Sequence, residues 1–370
     1  METLVFLLIF PLAWPFVAKL IWGHELTVRE IGINVAIGVV VVTVGWFGGR
    51  AAMTSDFEVH NGEVLRKEIQ PVSCEHSYSC NCREDCSTDS TGRRSCSTTC
   101  DTCYEHLRDF DHVLVTNVGD VEIDRVDRQG VSVPPRYESA RIGDPVALRK
   151  HFVNYIKGAP DSLFNALAER SAHQQFHASL PAYPDQVYDY HYVNRVLTTG
   201  PVIPDLANWN AQLAQLLRKL GPGKQANAVV VFTSSTDSAY ADALRAEWLG
   251  GKKNDVVLVI GAPNYPEIAW TRVVSWTDNE LFKSHLEQGV RDLKTATPEA
   301  VLGVLFEKTM AEFERKHMKD FEYLKWSIEP PTWLLWLLFV LSIVASVGAS
   351  IWLSRNNERV YGGMPRLRRR

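Results

Sequence analysis

All seven cysteines of the chain lie in one polar segment within its first third. They are Cys74, Cys80, Cys82, Cys86, Cys96, Cys100 and Cys103. Their spacing is C-x5-C-x-C-x3-C-x9-C-x3-C-x2-C, and the residues between them are mostly Ser, Thr, Asp, Asn, Arg and Gly. Because these residues cannot build an apolar core, disulfides or a bound metal must hold the segment in shape.

The cysteines have two main interpretations. Three disulfides and one free thiol are the simplest oxidised arrangement, although spacing alone does not give the connectivity. A structural zinc ion is the alternative, because two close cysteine pairs are about as far apart as in a zinc ribbon. Its candidate ligands are Cys82, Cys86, Cys100, Cys103, His76 and His106. A redox-active thiol is a third hypothesis, but no single thiolate-stabilising setting is visible. We favour disulfides.

Three aspartates in the C-terminal half form a second set of candidates. Asp237 follows a predicted central strand, Asp255 opens the next strand, and Asp278 follows a third. Carboxylates at strand ends can hold a divalent cation such as calcium. Helix capping explains Asp237 equally well, and no Ser–His or Asp-x-Asp constellation accompanies the three. We therefore expect no catalytic residues and no required cofactor, with structural zinc or calcium as the alternative.

Three apolar segments predict membrane spans, so a lipid bilayer is the first expected partner. Residues 332–353 carry no charge over a length sufficient for one crossing. Residues 31–49 are rich in Val and Gly, and Gly45 and Gly49 could permit close helix contact. Residues 4–22 contain two prolines but lack a basic start and a small-residue cleavage site, which favours a kinked, uncleaved helix over a signal peptide.

The basic residues predict the orientation of these spans. The tail after the last span has a single acidic residue and six arginines: Arg355, Arg359, Arg366, Arg368, Arg369 and Arg370. By the positive-inside rule this tail remains in the cytosol. Three spans then put the N-terminus outside, together with the large segment between the second and third spans. Disulfides form and persist in such a compartment.

The spans divide the chain into six predicted segments. They are residues 1–49 with two transmembrane helices (about 4–22 and 31–49), a Cys-rich extracytoplasmic segment at 50–111, a β-rich and helical middle module at 112–200, an α/β domain at 201–318, a C-terminal transmembrane helix at 332–353 and an Arg-rich cytoplasmic tail at 354–370. In the middle module, the alternating strings HVLVTNV, VEIDRV and VSVPPR predict short strands, and Asp144–Lys157 and Ser162–His177 predict helices.

The segment at 201–318 has the clearest pattern. The apolar runs AVVVFTS and DVVLVIG are typical of central strands that are covered on both faces, and EIAWTRVVSW predicts a third strand. With the helical segments around them, the order is α-β-α-β-β-α-α, which indicates one sheet layered with helices. Lys252, Lys253 and Asn254 are most simply a solvated turn between a helix and a strand.

Two parts of the chain resemble known families. The string HSYSCNCREDCS…SCSTTCDTCYEH, with RVDRQG and NYIKGAPDSLF, resembles uncharacterised membrane proteins of large tailed bacteriophages and some bacteria, over about Val72 to Leu197. ADALRAEWLGGKKNDVVLVIG and its surroundings resemble the TPM domain, over about Leu206 to Lys316. That resemblance implies a domain outside a membrane beside a transmembrane helix. Some TPM domains are credited with phosphatase activity or calcium binding.

These observations predict a mixed α+β and α/β membrane protein: three transmembrane helices, a Cys-rich segment with a small β module, and a TPM-like α/β sandwich. We expect it in the bacterial inner membrane, with its large domain periplasmic and with a non-catalytic binding or scaffold role toward another envelope or membrane protein, or as a homo-oligomer. The alternative is a membrane-anchored phosphatase-like or metal-dependent hydrolase. The net charge of −4 gives no reason to expect nucleic-acid binding.

Overall fold

The computed structural model describes residues 2–22, 28–88, 92, 94–159, 173–188, 191–192 and 194–361. The helices are α1 (Glu2–Trp22), α2 (Val28–Thr54), α3 (Pro135–Ser139), α4 (Tyr155–Gly158), α5 (Leu206–Lys224), α6 (Ala239–Glu247), α7 (Glu280–Asp292), α8 (Pro298–Glu312) and α9 (Thr332–Tyr361). The strands are β1 (Ser55–Val72), β2 (Ser77–Thr88), β3 (Arg94–Tyr104), β4 (Asp109–Thr116), β5 (Val121–Ile123), β6 (Pro145–Val153), β7 (Val187–Tyr188), β8 (His191–Tyr192), β9 (Val196–Thr199), β10 (Asn227–Thr233), β11 (Asp255–Gly261) and β12 (Trp270–Val274). Two 3₁₀ helices cover Gln174–Ser179 and Met318–Trp326.

Three helices are long and apolar enough to cross a membrane, as the sequence predicts. They cover Glu2–Ile21, Val28–Thr54 and Thr332–Leu353. Helix α2 begins at Val28 and ends at Thr54, so it is longer at both ends than the predicted 31–49. Strand β1 follows at Ser55 without an intervening loop. The first strand of the large domain is therefore a direct extension of the apolar helix α2. Most of the tail, residues 362–370, lies outside the described residues.

Small residues on α2 let the three apolar helices pack closely. A methyl group added at Gly38 would overlap Pro11 of α1, and one added at Gly45 would overlap Leu338 of α9. The amide of Asn34 donates to the backbone oxygen of Ser346 at 3.0 Å. Such small-residue contacts and interhelical hydrogen bonds hold helices together in lipid, where the hydrophobic effect between helices is absent.

The long strand β1 organises the first sheet, whose strand order is β5-β4-β1-β6. The first half of β1 pairs antiparallel with β6, from Ser55 opposite Val153 to Glu63 opposite Pro145. Its second half pairs antiparallel with β4, on the other side. Strand β1 was not predicted from the sequence and lies within the predicted Cys-rich segment 50–111.

Two predictions for the middle module are wrong. Asp144–Lys157 does not form one helix: Pro145–Val153 is a strand, and only Tyr155–Gly158 is helical. Pro145 opens the strand, where its missing amide proton does no harm, and pairing with β1 outweighs the local helix signal. VSVPPR is not a strand, because its second proline begins the short helix α3. Residues 162–172 lie outside the described part of the chain.

The second sheet has the order β12-β11-β10-β9, with β9, β10 and β11 parallel and β12 antiparallel. The predicted order α-β-α-β-β-α-α is confirmed, and β9 adds a strand from the predicted middle module. Val230 and Phe232 belong to a core with helices α5, α7 and α8, whereas Val229 and Val231 belong to a core with α6. Both faces are covered, which explains the continuous apolar runs.

Candidate functional site

Strands β2 and β3 pair antiparallel and form a two-stranded ribbon over residues 77–104, here called the cysteine hairpin. Three cysteine pairs lie at disulfide distance across it: Cys80–Cys103, Cys82–Cys100 and Cys86–Cys96. This geometry fits the disulfide alternative. Residues 89–91 and 93, at the tip, lie outside the described residues.

Nearly every described residue of the cysteine hairpin is exposed. Within β2 and β3 only Cys80 and Cys103 are even half-buried, and no described residue of the hairpin belongs to an apolar core. A two-stranded ribbon is only marginally stable in water by itself. The cross-links, rather than packing, therefore maintain its shape.

The seventh cysteine lies at the base of the hairpin, in a group here called the thiol cluster: Cys74, His106 and Asp109. The sulfur of Cys74 is 3.7 Å from Nδ1 of His106, and that nitrogen is 3.2 Å from Oδ1 of Asp109. Cys74 is a buried free thiol, Asp109 is fully buried and His106 is partly exposed. One potential ligand atom from each residue lies within 4.8 Å of the other two.

A surrounding shell of hydrogen bonds holds Asp109 in place. The backbone amide of Glu75 donates to its Oδ2 at 3.2 Å, and Arg125 donates to the same oxygen at 3.1 Å. Burial opposes ionisation of Asp109, but these bonds and those from Cys74 and His106 lower its pKa overall. Arg125 is itself held by Asp111. The carboxylate of Asp109 is thus charged and aimed at the histidine.

The loop that carries Arg125 also fixes the hairpin base. Asp127 accepts hydrogen bonds from the backbone amides of four residues: Gln129, Gly130, Val131 and Ser132. The loop bonds back through Phe110, whose amide donates to the carbonyl of Gln129 at 2.8 Å. The carbonyl of Arg128 lies 3.2 Å from Nε2 of His76. These hydrogen bonds hold together the segment from which the hairpin extends.

The thiol cluster does not have the geometry of a nucleophilic triad. In such a triad the nucleophile contacts one ring nitrogen of histidine, and the carboxylate contacts the other. Here Cys74 and Asp109 both face Nδ1 of His106, so the ring cannot pass a proton from one to the other through its two nitrogens. The three potential ligand atoms lie within 4.8 Å of one another, which is close enough for one ion to contact all three.

The structure divides the predicted zinc ligands into two groups. Cys82, Cys86, Cys100 and Cys103 all lie in disulfide pairs. His106 instead joins Cys74, the cysteine left over, while His76 has its ring 6.4 Å from that of His106 between centroids. Sequence reasoning missed Asp109. The signal that could have found it is the H-x2-D spacing directly after the last cysteine.

The three predicted ion-binding aspartates are not brought together. Asp237 follows the end of β10, whereas Asp255 begins β11, which is parallel to it, so the seven residues of β11 separate them by about 20 Å. Asp278 lies on the same edge as Asp255, but its carboxylate pairs with Lys316. Asp237 lies just before the N-cap residue Ser238 of α6 and accepts from the amide of Ala239 at 2.9 Å.

Asp255 is committed to structural hydrogen bonds. Its carboxylate accepts from Tyr183 at 2.7 Å, Asn227 at 2.8 Å and the amide of Lys252 at 2.7 Å. Burial raises the pKa of Asp255 even though these donors oppose the shift. It is fully buried and joins the starts of β10 and β11 to the aromatic segment around Tyr183.

Lys252 and Lys253 are not in a solvated turn, so that prediction is wrong. They join Asp56, Glu58 and Arg315 in a set here called the polar junction. Nζ of Lys252 is 2.7 Å from Asp56, and Nζ of Lys253 is 3.4 Å from Glu58. Asn254, next in sequence, is buried and donates to the backbone oxygen of Val59 at 2.8 Å.

Electrostatics favour the charged forms across the polar junction. Burial alone would raise the pKa of Glu58, but hydrogen bonds from His60 and Arg315, with the charges of Arg315 and Lys253, lower it to about 2. Burial likewise opposes ionisation of Asp56, and Lys252 and Asn154 outweigh it, so that its pKa is lowered too. The junction ties β1 to the second sheet and is structural.

Comparison with protein-family models, with curated proteins and with solved structures gives no match. The TPM resemblance of residues 206–316 and the phage-protein resemblance therefore stay predictions. What the structure defines is a mixed α/β protein with three apolar helices and three cysteine pairs at disulfide distance.

Proposed function

We propose that this is a non-catalytic multi-pass membrane protein that presents the cysteine hairpin to another envelope or membrane protein. The observation that carries this proposal is that the hairpin exposes nearly all its side chains while three disulfides hold it in one shape. Each disulfide of this kind restricts the conformational freedom of the unfolded chain, which typically stabilises the folded state by about 2–4 kcal/mol. No described hydrophobic core includes residues of the hairpin. We therefore propose that the fixed ribbon serves to bind another protein.

Rigidity of this kind favours binding. A flexible segment must lose backbone and side-chain freedom when it binds, at a cost of about 0.5–1.5 kcal/mol for each immobilised long side chain. A cross-linked ribbon has already lost most of its backbone freedom. Exposed apolar groups at its base suit a protein contact: Leu107 is 95% exposed, and Tyr78 and Tyr104 are more than half exposed.

The hairpin also has the reach that this role requires. Strand β1 follows α2 directly and has 18 residues, so it extends about 60 Å from the membrane helix before the cysteines begin. The hairpin leaves its far end, beyond Val72. We propose that the ribbon is thereby held at a distance from the lipid surface, where a partner can reach it.

We propose the topology that the basic tail predicts, with the N-terminus and the large domain periplasmic in the bacterial inner membrane and the tail cytosolic. Two contacts support it. Nε1 of Trp46 donates to Thr3 at 3.1 Å, which puts the start of α1 beside the end of α2. Arg50 donates to the carbonyl of Lys325, just before α9. Both contacts support an arrangement in which the start of α1, the end of α2 and the start of α9 share the side of the large domain.

We retain the TPM-like domain as a proposal for residues 206–316. The order of its helices and strands and its sheet covered on both faces support it. The hydrolase alternative lacks a comparable observation, because the three predicted aspartates lie apart or are occupied. A scaffold domain that carries the hairpin is the simpler role.

Photo-crosslinking in native membranes tests the proposed role. A photoreactive residue at the exposed Glu84 of the hairpin should give a discrete adduct with one envelope or membrane protein, whereas one at the exposed Glu307 of α8 should give none. Replacing the three disulfide pairs with serines should abolish the Glu84 adduct. Adducts that are equally strong at both positions, or that persist without the disulfides, would contradict the proposal. An adduct of twice the chain mass would instead identify a homo-oligomer as the partner.

A further inference from the structure

We infer that the thiol cluster of Cys74, His106 and Asp109 is a binding site for a zinc-like divalent ion that fastens the base of the cysteine hairpin. This site differs from the predicted zinc alternative, which used four cysteines that the structure pairs in disulfides. It is also independent of whether the hairpin binds a partner.

The distances within the cluster match a tetrahedral zinc site. With Zn–S of about 2.3 Å and Zn–N and Zn–O of about 2.0 Å, sulfur and nitrogen ligands lie about 3.5 Å apart, and nitrogen and oxygen ligands about 3.3 Å apart. The corresponding distances are 3.7 Å between Cys74 and His106 and 3.2 Å between His106 and Asp109. Small side-chain adjustments suffice to accept the ion.

The donor set selects the kind of ion. One thiolate, one imidazole and one carboxylate favour zinc over calcium or magnesium, which prefer oxygen ligands alone. The thiolate and the carboxylate carry two negative charges and so balance a dication. Arg125 adds a positive charge near Asp109, but Asp111 neutralises it.

The surroundings have the second layer that metal sites require. Hydrogen bonds from the amide of Glu75 and from Arg125 hold Oδ2 of Asp109 and leave Oδ1 directed at His106. Such outer contacts orient ligands, and their loss typically reduces metal affinity about 10–100-fold. His76 stands close by, but its Nε2 faces the carbonyl of Arg128, so three protein ligands are assigned and the fourth position falls to water.

The positions of the ligands along the chain give the ion its role. Cys74 precedes the first strand of the hairpin, His106 follows the second, and Asp109 begins the strand β4 that pairs with β1. One ion would join both legs of the hairpin to the sheet. It would also hold the seventh cysteine as a bound thiolate, protected from forming a wrong disulfide in an oxidising compartment.

Cobalt(II) substitution in the full-length, detergent-solubilised protein tests the site. After removal of bound metal with a chelator, one Co²⁺ per chain should bind and give the charge-transfer absorption of a thiolate–cobalt bond. Zn²⁺ should displace it and Ca²⁺ should not. Cys74→Ser should remove the absorption, and His106→Gln should weaken binding by at least about tenfold. His151→Gln, a change at an exposed histidine outside the cluster, should have no effect.

A measurement on the unmodified protein guards against variants that fail to fold. Zn²⁺ should slow alkylation of the single free thiol at least tenfold, and Mg²⁺ should leave its rate unchanged. Cobalt binding without the charge-transfer absorption, an absorption that survives Cys74→Ser, or an alkylation rate indifferent to Zn²⁺ would each overturn the assignment.

Discussion

Nζ of Lys252 lies 2.7 Å from the carboxylate of Asp56, although the two residues are 196 positions apart. Asp56 comes two residues after the end of the apolar helix α2, and Lys252 belongs to the turn that enters the central strand β11. The ion pair therefore joins the second sheet to the point where the chain leaves the apolar helices. The neighbouring pairs of Glu58 with Lys253 and Arg315 repeat the connection.

Removing the charge of Glu58 should destabilise the protein. Its side chain is only 5% exposed and pairs with Lys253 and Arg315, each 14% exposed, so Glu58→Gln would remove the carboxylate that these two cations share. Loss of one member of a buried ion pair costs about 3–5 kcal/mol. Urea unfolding in detergent, followed by tryptophan fluorescence, measures the change. Glu307→Gln, at an exposed pair with Lys308, should cost less than about 1 kcal/mol; equal losses for both variants would refute this role.

Stability should fall in acid because of the same carboxylates. Asp56 and Glu58 have folded-state pKa values below their ordinary values of 3.8 and 4.5, with Glu58 at about 2. Their stabilisation is therefore fully present above about pH 4.5 and is lost as the pH falls toward about 2. The melting temperature as a function of pH measures this. The double variant Asp56→Asn/Glu58→Gln should show a shallower loss over that interval, and an unchanged slope would rule the pair out as its source.

Gly221→Ala should loosen the contact between α5 and β1. A methyl group at this position would overlap the backbone oxygen of Asn61, and a backbone atom cannot move aside as a side chain can. Overpacking of this kind costs about 1–3 kcal/mol. Gly303→Ala is a matched control in α8, because nothing lies within 4 Å of the added carbon, and it should be neutral or stabilising. Thermal unfolding compares the two, and a neutral Gly221→Ala would show that this contact is loose.

Gly45→Val should weaken the packing of the three apolar helices. The added carbon would overlap the side chain of Leu338 on α9, whereas an added carbon at Gly48 meets nothing within 4 Å. We expect a lower melting temperature in detergent for Gly45→Val and little change for Gly48→Val. The reverse order would contradict the helix arrangement.

Strands β10 and β11 of the second sheet were predictable because both of their faces are buried. Their composition then becomes uniformly apolar, as in β10 and β11, and that signal is local. The three apolar helices were predictable because each is a long and predominantly apolar stretch of the sequence. In each case one stretch of sequence carries the whole pattern.

Strand β1 was not predictable because its buried residues include charged ones. Asp56 and Glu58 are buried but are neutralised by partners about 200 positions later, such as Lys252. The polar residues of β1 therefore look solvent-exposed in the sequence, although in the structure Asp56 and Glu58 lie at the contact with the second sheet. The charge of Lys253 likewise indicates a solvated turn in the sequence, although its side chain pairs with Glu58 in the folded chain.

The sequence shows that the seven cysteines form one cluster, but it does not show which six are paired and which one is free. Spacing cannot specify which cysteine remains unpaired. The antiparallel register of β2 and β3 puts Cys86 opposite Cys96, and the other two pairs lie across the same ribbon. It leaves Cys74 outside the ribbon, where only the folded chain brings it to His106 and Asp109.

Disulfide mapping of the unreduced protein tests the central claim most directly. Trypsin and Asp-N have no site between Cys80 and Cys82 or between Cys96 and Cys100. The disulfides are therefore opened stepwise by partial reduction, the freed thiols are alkylated with a different reagent at each step, and the labelled peptides are sequenced by mass spectrometry. We predict the pairs Cys80–Cys103, Cys82–Cys100 and Cys86–Cys96, with one free thiol per chain at Cys74. A different pairing or six reduced cysteines would contradict the braced hairpin, and Cys74 in a disulfide would contradict the thiol cluster at its base.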